Sequence, residues 1–207
     1  MRSKEYRLKE SFLRNMYSGN NKYQIPLIKD QHLDLSNLNL ISVANIKSND
    51  NEQNRLKGVH FFVDDWRFIK FYENPYFYKE LLSQYRLLFS PDFSIYGDMP
   101  IWKQIENTAR NRWCGAYWQS LGYNVVPTIS WGLSTSYDFC FEGVEKGSAV
   151  AVGMIGSKQS RFNFMSGYNE MLKRLNPSVI ICFGNPYPEM KGNLLQIDYL
   201  SDRKETK

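Results

Sequence analysis

Phe89-Ser-Pro-Asp-Phe-Ser-Ile-Tyr-Gly-Asp-Met-Pro100 follows directly on the apolar pair Leu87 and Leu88 and leads into a helical pattern that starts near Pro100. An apolar strand ends here in a loop of hydroxyls and carboxylates, and a helix follows. The same order recurs in Val59-His-Phe-Phe-Val-Asp-Asp65 and in Val125-Val-Pro-Thr-Ile-Ser-Trp131. These apolar runs are continuous rather than alternating, which is the pattern of strands covered on both faces.

Working outward, the pattern predicts strands over Val59–Val63, Leu87–Phe89, Val125–Ser130, Ala149–Ile155, Val179–Phe183 and Leu194–Asp198. Helices are predicted over about Trp66–Gln84, Pro100–Leu121 and Phe162–Leu175. Strands alternating with helices give an α/β fold with a mostly parallel sheet of about six strands and flanking helices. At 207 residues the chain is short for a complete eight-stranded barrel, so the expectation is an open sheet or a partial (β/α)-barrel.

The remaining segments are expected to join this α/β domain, residues 58–200, in one compact unit. Residues 1–57 read as a basic amphipathic helix over about 1–20, with Leu8, Phe12, Leu13 and Met16 on one side. A strand within Leu38–Ile46 follows, then a mobile surface loop over Lys47–Lys57, which is nearly devoid of apolar residues. Residues 201–207 read as a disordered tail. In the helix over 100–121, one stripe holds Ile101, Ile105, Thr108, Ala109, Arg112, Ala116 and Gln119, and another holds Trp102, Glu106, Arg110, Trp113 and Tyr117. Both faces carry large groups, which predicts burial on more than one side, with Arg112 directed at an acidic partner.

Composition narrows the classes. The chain is 43% hydrophobic and 23% charged, with 15% aromatic residues and a net charge of +5. These values describe a globular protein, and the positive balance makes a polyanion a candidate partner. Cys114, Cys140 and Cys182 form no C-x-x-C pair, and two of them sit among apolar neighbours. That is the usage of a reduced, cytoplasmic protein with buried thiols. No apolar run is long enough to span a membrane, and the charged N-terminus is unlike a signal peptide. The sequence lacks a G-x-G-x-x-G fingerprint, a P-loop and an H-E-x-x-H motif, which argues against dinucleotide, triphosphatase and zinc chemistry.

In a parallel α/β sheet, ligands bind beyond the carboxyl ends of the strands. The catalytic candidates are therefore Asp64, Asp92 and Asp98. Asp65, Ser90, Ser94, Tyr96, Arg112, Gln119, Thr128, Ser130 and Trp131 are the ligand-binding candidates. Crowded carboxylates raise one pKa for acid–base work or recruit a cation, and magnesium is the ion that would suit Asp64 with Asp92. Each aspartate also has a structural reading: Asp98 as an N-cap, Asp92 in a turn, Asp64 and Asp65 at a helix entry. His60 reads as a core histidine, and Trp131 as a ring at a strand end that can stack on a ligand.

The run Ser90–Pro100, followed by Asn111-Arg-Trp-Cys-Gly-Ala-Tyr-Trp-Gln119, Val126-Pro-Thr-Ile-Ser-Trp131 and Phe139-Cys-Phe-Glu-Gly143, resembles an uncharacterised family of bacterial and phage proteins, often borne on plasmids and prophages, with a domain of unknown function. The resemblance spans roughly residues 58–184 and implies a mobile-element setting, without bringing an activity, a cofactor or a catalytic residue. From the residues themselves, the leading expectation is action on nucleic acid or a nucleotide by phosphodiester or glycosidic cleavage. The alternatives are a non-catalytic protein that binds a host or phage factor and a DNA-binding replication accessory protein.

Overall fold

The computed structural model describes Arg14 and residues 16–198. The expected N-terminal helix falls largely outside these residues, as does the expected tail over 201–207; Met16 and Tyr17 form a turn. In chain order the elements are β1 (Leu40–Ser42), α1 (Glu52–Arg55), β2 (Gly58–His60), α2 (Asp65–Glu73), α3 (Pro75–Leu82), β3 (Leu87–Phe89) and α4 (Ile101–Ser120). They continue with β4 (Val125–Val126), β5 (Val150–Gly153), α5 (Arg161–Leu175), β6 (Ile180–Phe183) and β7 (Leu194–Ile197).

All pairings between these strands are parallel, in the orders β1-β2-β3-β4 and β5-β6-β7. A parallel bridge between Thr128 and Ala151 joins the two sheets, so spatial order follows chain order from β1 to β7. The Ile129 amide donates to the Ala151 carbonyl at 2.8 Å, and the Ala151 amide to the Pro127 carbonyl at 2.9 Å. Among the described residues the strands number seven: β1, expected within Leu38–Ile46, pairs as an edge with the six of the α/β domain.

Side-chain alternation along the strands shows how the sheet is shaped. Leu40, Leu87, Phe89, Val126, Ala151, Ile181, Phe183 and Ile197 form one buried cluster with Phe62. The intervening residues face outward: Ile41, Val59, Leu88 and Val125 pack with α2, α3 and α4, and Val150, Val152, Ile180 and Cys182 pack with α5. Phe62, beyond β2, stacks on Phe183 at the end of β6, with ring centroids 5.0 Å apart. Residues from strands four places apart meet only if the sheet curls on itself, so the fold is a partial (β/α)-barrel with a packed interior. Buried His60 belongs to that interior, its ring 4.4 Å from Phe183.

Several local expectations change. The single helix over 66–84 is two, broken at Asn74, because the residue before a proline is disfavoured in helical conformation and Pro75 instead starts α3. The strand expected over 125–130 pairs regularly only at Val125–Val126 before Pro127 interrupts it. Helix α4 ends in a Schellman turn, with Gly122 at φ +84°, its amide bonding to Gln119 and that of Tyr123 to Trp118.

The 47–57 segment is anchored rather than a plain mobile loop. It contains α1, and Asp50 is buried, accepting hydrogen bonds from the Tyr85 hydroxyl at 2.6 Å and Asn54 Nδ2 at 2.8 Å. Desolvation pushes the Asp50 pKa up, but these hydrogen bonds outweigh it and the net shift is downward. Asp50→Ala is expected to cost about 1–3 kcal/mol and to speed amide hydrogen exchange across 47–57.

Candidate active-site cleft

A cleft of about 790 Å³ opens at the carboxyl ends of the strands, where parallel α/β sheets hold ligands. Asp64 and Arg67 enter it from the start of α2, and Asp92, Ser94 and Tyr96 from the loop after β3. Ser130 and Trp131 come from the segment after β4, and Ser157, Ser160, Asn163 and Phe164 from the loop after β5 and the start of α5.

Asp92 is the group most altered by this setting. It keeps some solvent-accessible surface in the cleft wall, yet desolvation dominates and pushes its pKa up from 3.8 to about 7. A hydrogen bond from the Ser130 side chain opposes the shift, the Asp65 charge adds to it, and Arg112 opposes it. Asp65 lies behind the wall, accepting from the Ser94 amide at 3.2 Å and the Ser94 hydroxyl at 2.8 Å. The same hydroxyl is 3.0 Å from that of Tyr96. Asp64 is exposed and makes no side-chain cap to α2. The cleft therefore holds a carboxyl whose pKa burial raises to about 7 and an exposed second acid in Asp64, groups of the kind that can give and take protons.

Beneath Asp92 lies a buried polar network. Arg112 donates from Nη1 to the Thr128 carbonyl at 2.9 Å, from Nη2 to the Cys140 carbonyl at 2.8 Å and from Nε to the Glu142 carbonyl at 3.0 Å. Asn111 Nδ2 donates to the carbonyls of Pro91 at 2.7 Å and Thr128 at 3.1 Å. The Ser90 hydroxyl donates to Asn111 Oδ1 and accepts from the Thr128 amide, each at 2.8 Å. This network ties the Ser90–Asp92 loop to the Thr128–Ser130 segment. Desolvation lowers the Arg112 pKa to about 10, while the Asp92 charge raises it.

The structure thus separates the sequence candidates. Asp64, Asp92, Ser94, Tyr96, Ser130 and Trp131 line the cleft. Asp65 stands directly behind it, and Ser90, Thr128 and Arg112 are buried below. Arg112 is directed at carbonyls and Asn111 rather than at a hydrogen-bonded carboxylate. Gln119 lies on the final turn of α4 and bonds to both backbone groups of Lys29. Asp98 is exposed and outside the cleft lining, and Pro100 takes the N-cap position instead. Among the described residues, no group of three or more histidine, cysteine, aspartate or glutamate side chains is placed to hold a metal. Cys114, Cys140 and Cys182 are buried, and burial raises the pKa of each thiol.

Trp131 packs on Gly167 of α5, where an added Cβ would come within 2.2 Å of the indole Cδ1 and Nε1. Gly167→Ala should displace this ring from the cleft wall at a cost of about 1–3 kcal/mol, measured by denaturant unfolding.

The family profile described as Domain of unknown function (DUF4417) matches residues 17–200. The chain belongs to this family. It is also similar to the Gene 1 protein of Mycobacterium phage L5, 38% identical over 130 residues, which is 61% of this chain and 57% of that protein. The Gene 1 protein of Mycobacterium phage D29 is 38% identical over 133 residues, 61% of this chain and 48% of that protein. The chain thus spans about half the length of these relatives, and the phage resemblance stated from the motifs holds. No solved structure matches.

Four polar contributors to this DUF4417 cleft stand outside the sequence candidates: Arg67, Ser157, Ser160 and Asn163. Arg67 is one helical turn beyond Asp64, so that spacing could have found it; the α5 group carries no local signal. The buried stripe Gln104, Asn107, Thr108, Asn111 and Arg112 on α4 follows helical spacing and was equally legible.

Proposed function

We propose that this protein hydrolyses the glycosidic bond of a nucleotide unit, with Asp92 as general acid. The supporting observation is the Asp92 carboxyl, pushed up to about 7 in a cleft walled by Trp131, Tyr96 and Phe164. A carboxyl that keeps its proton near neutrality suits protonation of a leaving base, and aromatic walls suit a planar ring. In the proposed step the bond from the sugar C1′ to the base nitrogen breaks and the Asp92 proton passes to the departing base. Asp64 faces the positive charge that develops on the sugar. Water then bonds to C1′ and gives its proton to Asp64, and both carboxyls re-equilibrate with solvent.

Membership of DUF4417 alongside phage relatives supports a mobile-element setting for this activity. Net charge is not what supports it, since three of the five excess positive charges fall in residues 1–13 and 199–207. The test is release of free base from nucleotides and oligonucleotides, followed chromatographically. Wild-type protein should release base with a rate that falls as pH rises through 7, and Asp92→Asn should lose about 10²–10⁴-fold. Unchanged release by Asp92→Asn, or none by wild type on any of these substrates, would refute the reading.

A further inference from the structure

Three helices begin at the cleft end of the barrel, and the second residue of each is a large exposed aromatic. These are Trp66 on α2, Trp102 on α4 and Phe162 on α5, at 69%, 68% and 85% exposure. None of the three lines the cleft itself, but Trp66 and Phe162 adjoin the lining residues Arg67 and Asn163 in sequence, and large rings turned to water beside a cleft mark a contact surface. Arg67 lines the cleft, makes no ion pair among the described residues, and lies with its guanidinium 4.4 Å from the centroid of the Trp66 ring. Lys158, in the loop before α5, is also exposed and without an ion pair among the described residues.

We infer that the ligand of this cleft is single-stranded nucleic acid, with neighbouring bases stacked on Trp66 and Phe162 and a backbone phosphate held by Arg67. This rests on the reading of the cleft as a nucleotide site and adds the polymer to it. Stacking tolerates any base sequence and a guanidinium matches a phosphate in shape and charge. A free nucleotide would fill the cleft and leave the rim unused. A duplex keeps its bases paired and offers no ring faces to the rim. Asp64 lies one turn before Arg67 and repels a phosphate, and the Trp66 ring lies against the guanidinium, so the held phosphate meets the guanidinium at its N–H edge, away from Asp64.

The test is fluorescence anisotropy of a short labelled single-stranded oligonucleotide, competed with mononucleotides and with duplex, on the full chain. The single strand should bind at least ten-fold tighter than either competitor. Trp66→Ala and Phe162→Ala should each weaken it about ten-fold, and Arg67→Ala should also flatten its salt dependence by roughly 0.7 in the log–log slope. Exposed Phe77 lies on α3, which follows α2 rather than a strand and carries no cleft-lining residue, so Phe77→Ala should change nothing. Melting temperatures close to wild type would show that the variants fold. Equal binding of mononucleotide and strand, or indifference to Trp66→Ala and Phe162→Ala, would overturn the inference; no binding of any nucleic acid would also overturn it and assign the rim to a protein partner. Binding without base release would sink the hydrolytic reading alone, whereas base release from mononucleotides only would sink this one alone.

Discussion

Replacing Arg112 by alanine should cost about 3–5 kcal/mol, enough to lower the melting temperature of a domain this size by about 10 °C or more. The guanidinium is buried, and the substitution leaves a cavity and removes the donors that serve the carbonyls of Thr128, Cys140 and Glu142. Arg112→Lys should recover only part of the loss, because one ammonium cannot reproduce the planar fork that reaches three carbonyls in different directions. Neighbouring Arg110 gives the contrast. It pairs with Glu106 one turn away and lies over the rings of Tyr72 and Phe93, and Arg110→Ala should cost about 1–2 kcal/mol. Thermal and denaturant unfolding separate these outcomes. Had Arg112 been a ligand clamp, its loss would lower ligand affinity and leave the melting temperature unchanged.

Asp92→Asn should make the protein more stable at pH 8 and leave it unchanged near pH 4. In the folded state the Asp92 carboxyl holds its proton up to about pH 7, whereas its ordinary value is 3.8. Between those values the folded state binds more protons than the unfolded chain, so this group's contribution falls as pH rises. Above pH 7 the whole cost is present, on the order of 2–4 kcal/mol allowing for solvent in the open cleft. Asparagine carries no such charge and escapes the cost. A substitution that stabilises the fold while removing activity is what a residue placed for chemistry rather than for packing should give. Equal stability of wild type and Asp92→Asn at both pH values would mean that Asp92 ionises as an ordinary surface carboxylate.

Much of the architecture was legible because each strand is a short continuous apolar run and each ends in a change of residue type. That change put Asp64, Asp92, Ser94, Ser130 and Trp131 at one end of the sheet before any contact was known. The curl of the sheet was less accessible, since it depends on Phe62 meeting Phe183 across more than a hundred residues. Arg112 was expected to face an acid because a buried charge usually does; its carbonyl acceptors come from chain segments that no local pattern ties to α4. Gln119 was grouped with the site through the helical stripe it shares with Arg112, but it lies on the last turn of α4, far from the first. Asp50 shows the opposite limit: a loop with hardly an apolar residue is held by one buried carboxylate and Tyr85, and composition carries no trace of that bond.

The proposed chemistry turns on one proton. Carbon-13 NMR of protein labelled at the aspartate carboxyls, titrated from pH 3 to 9 and assigned with Asp92→Asn, reads it directly. An aspartate resonance with its midpoint near pH 7, absent from the variant, is the predicted result; an Asp92 resonance that titrates below pH 5 would contradict the assignment of Asp92 as the acid of this cleft.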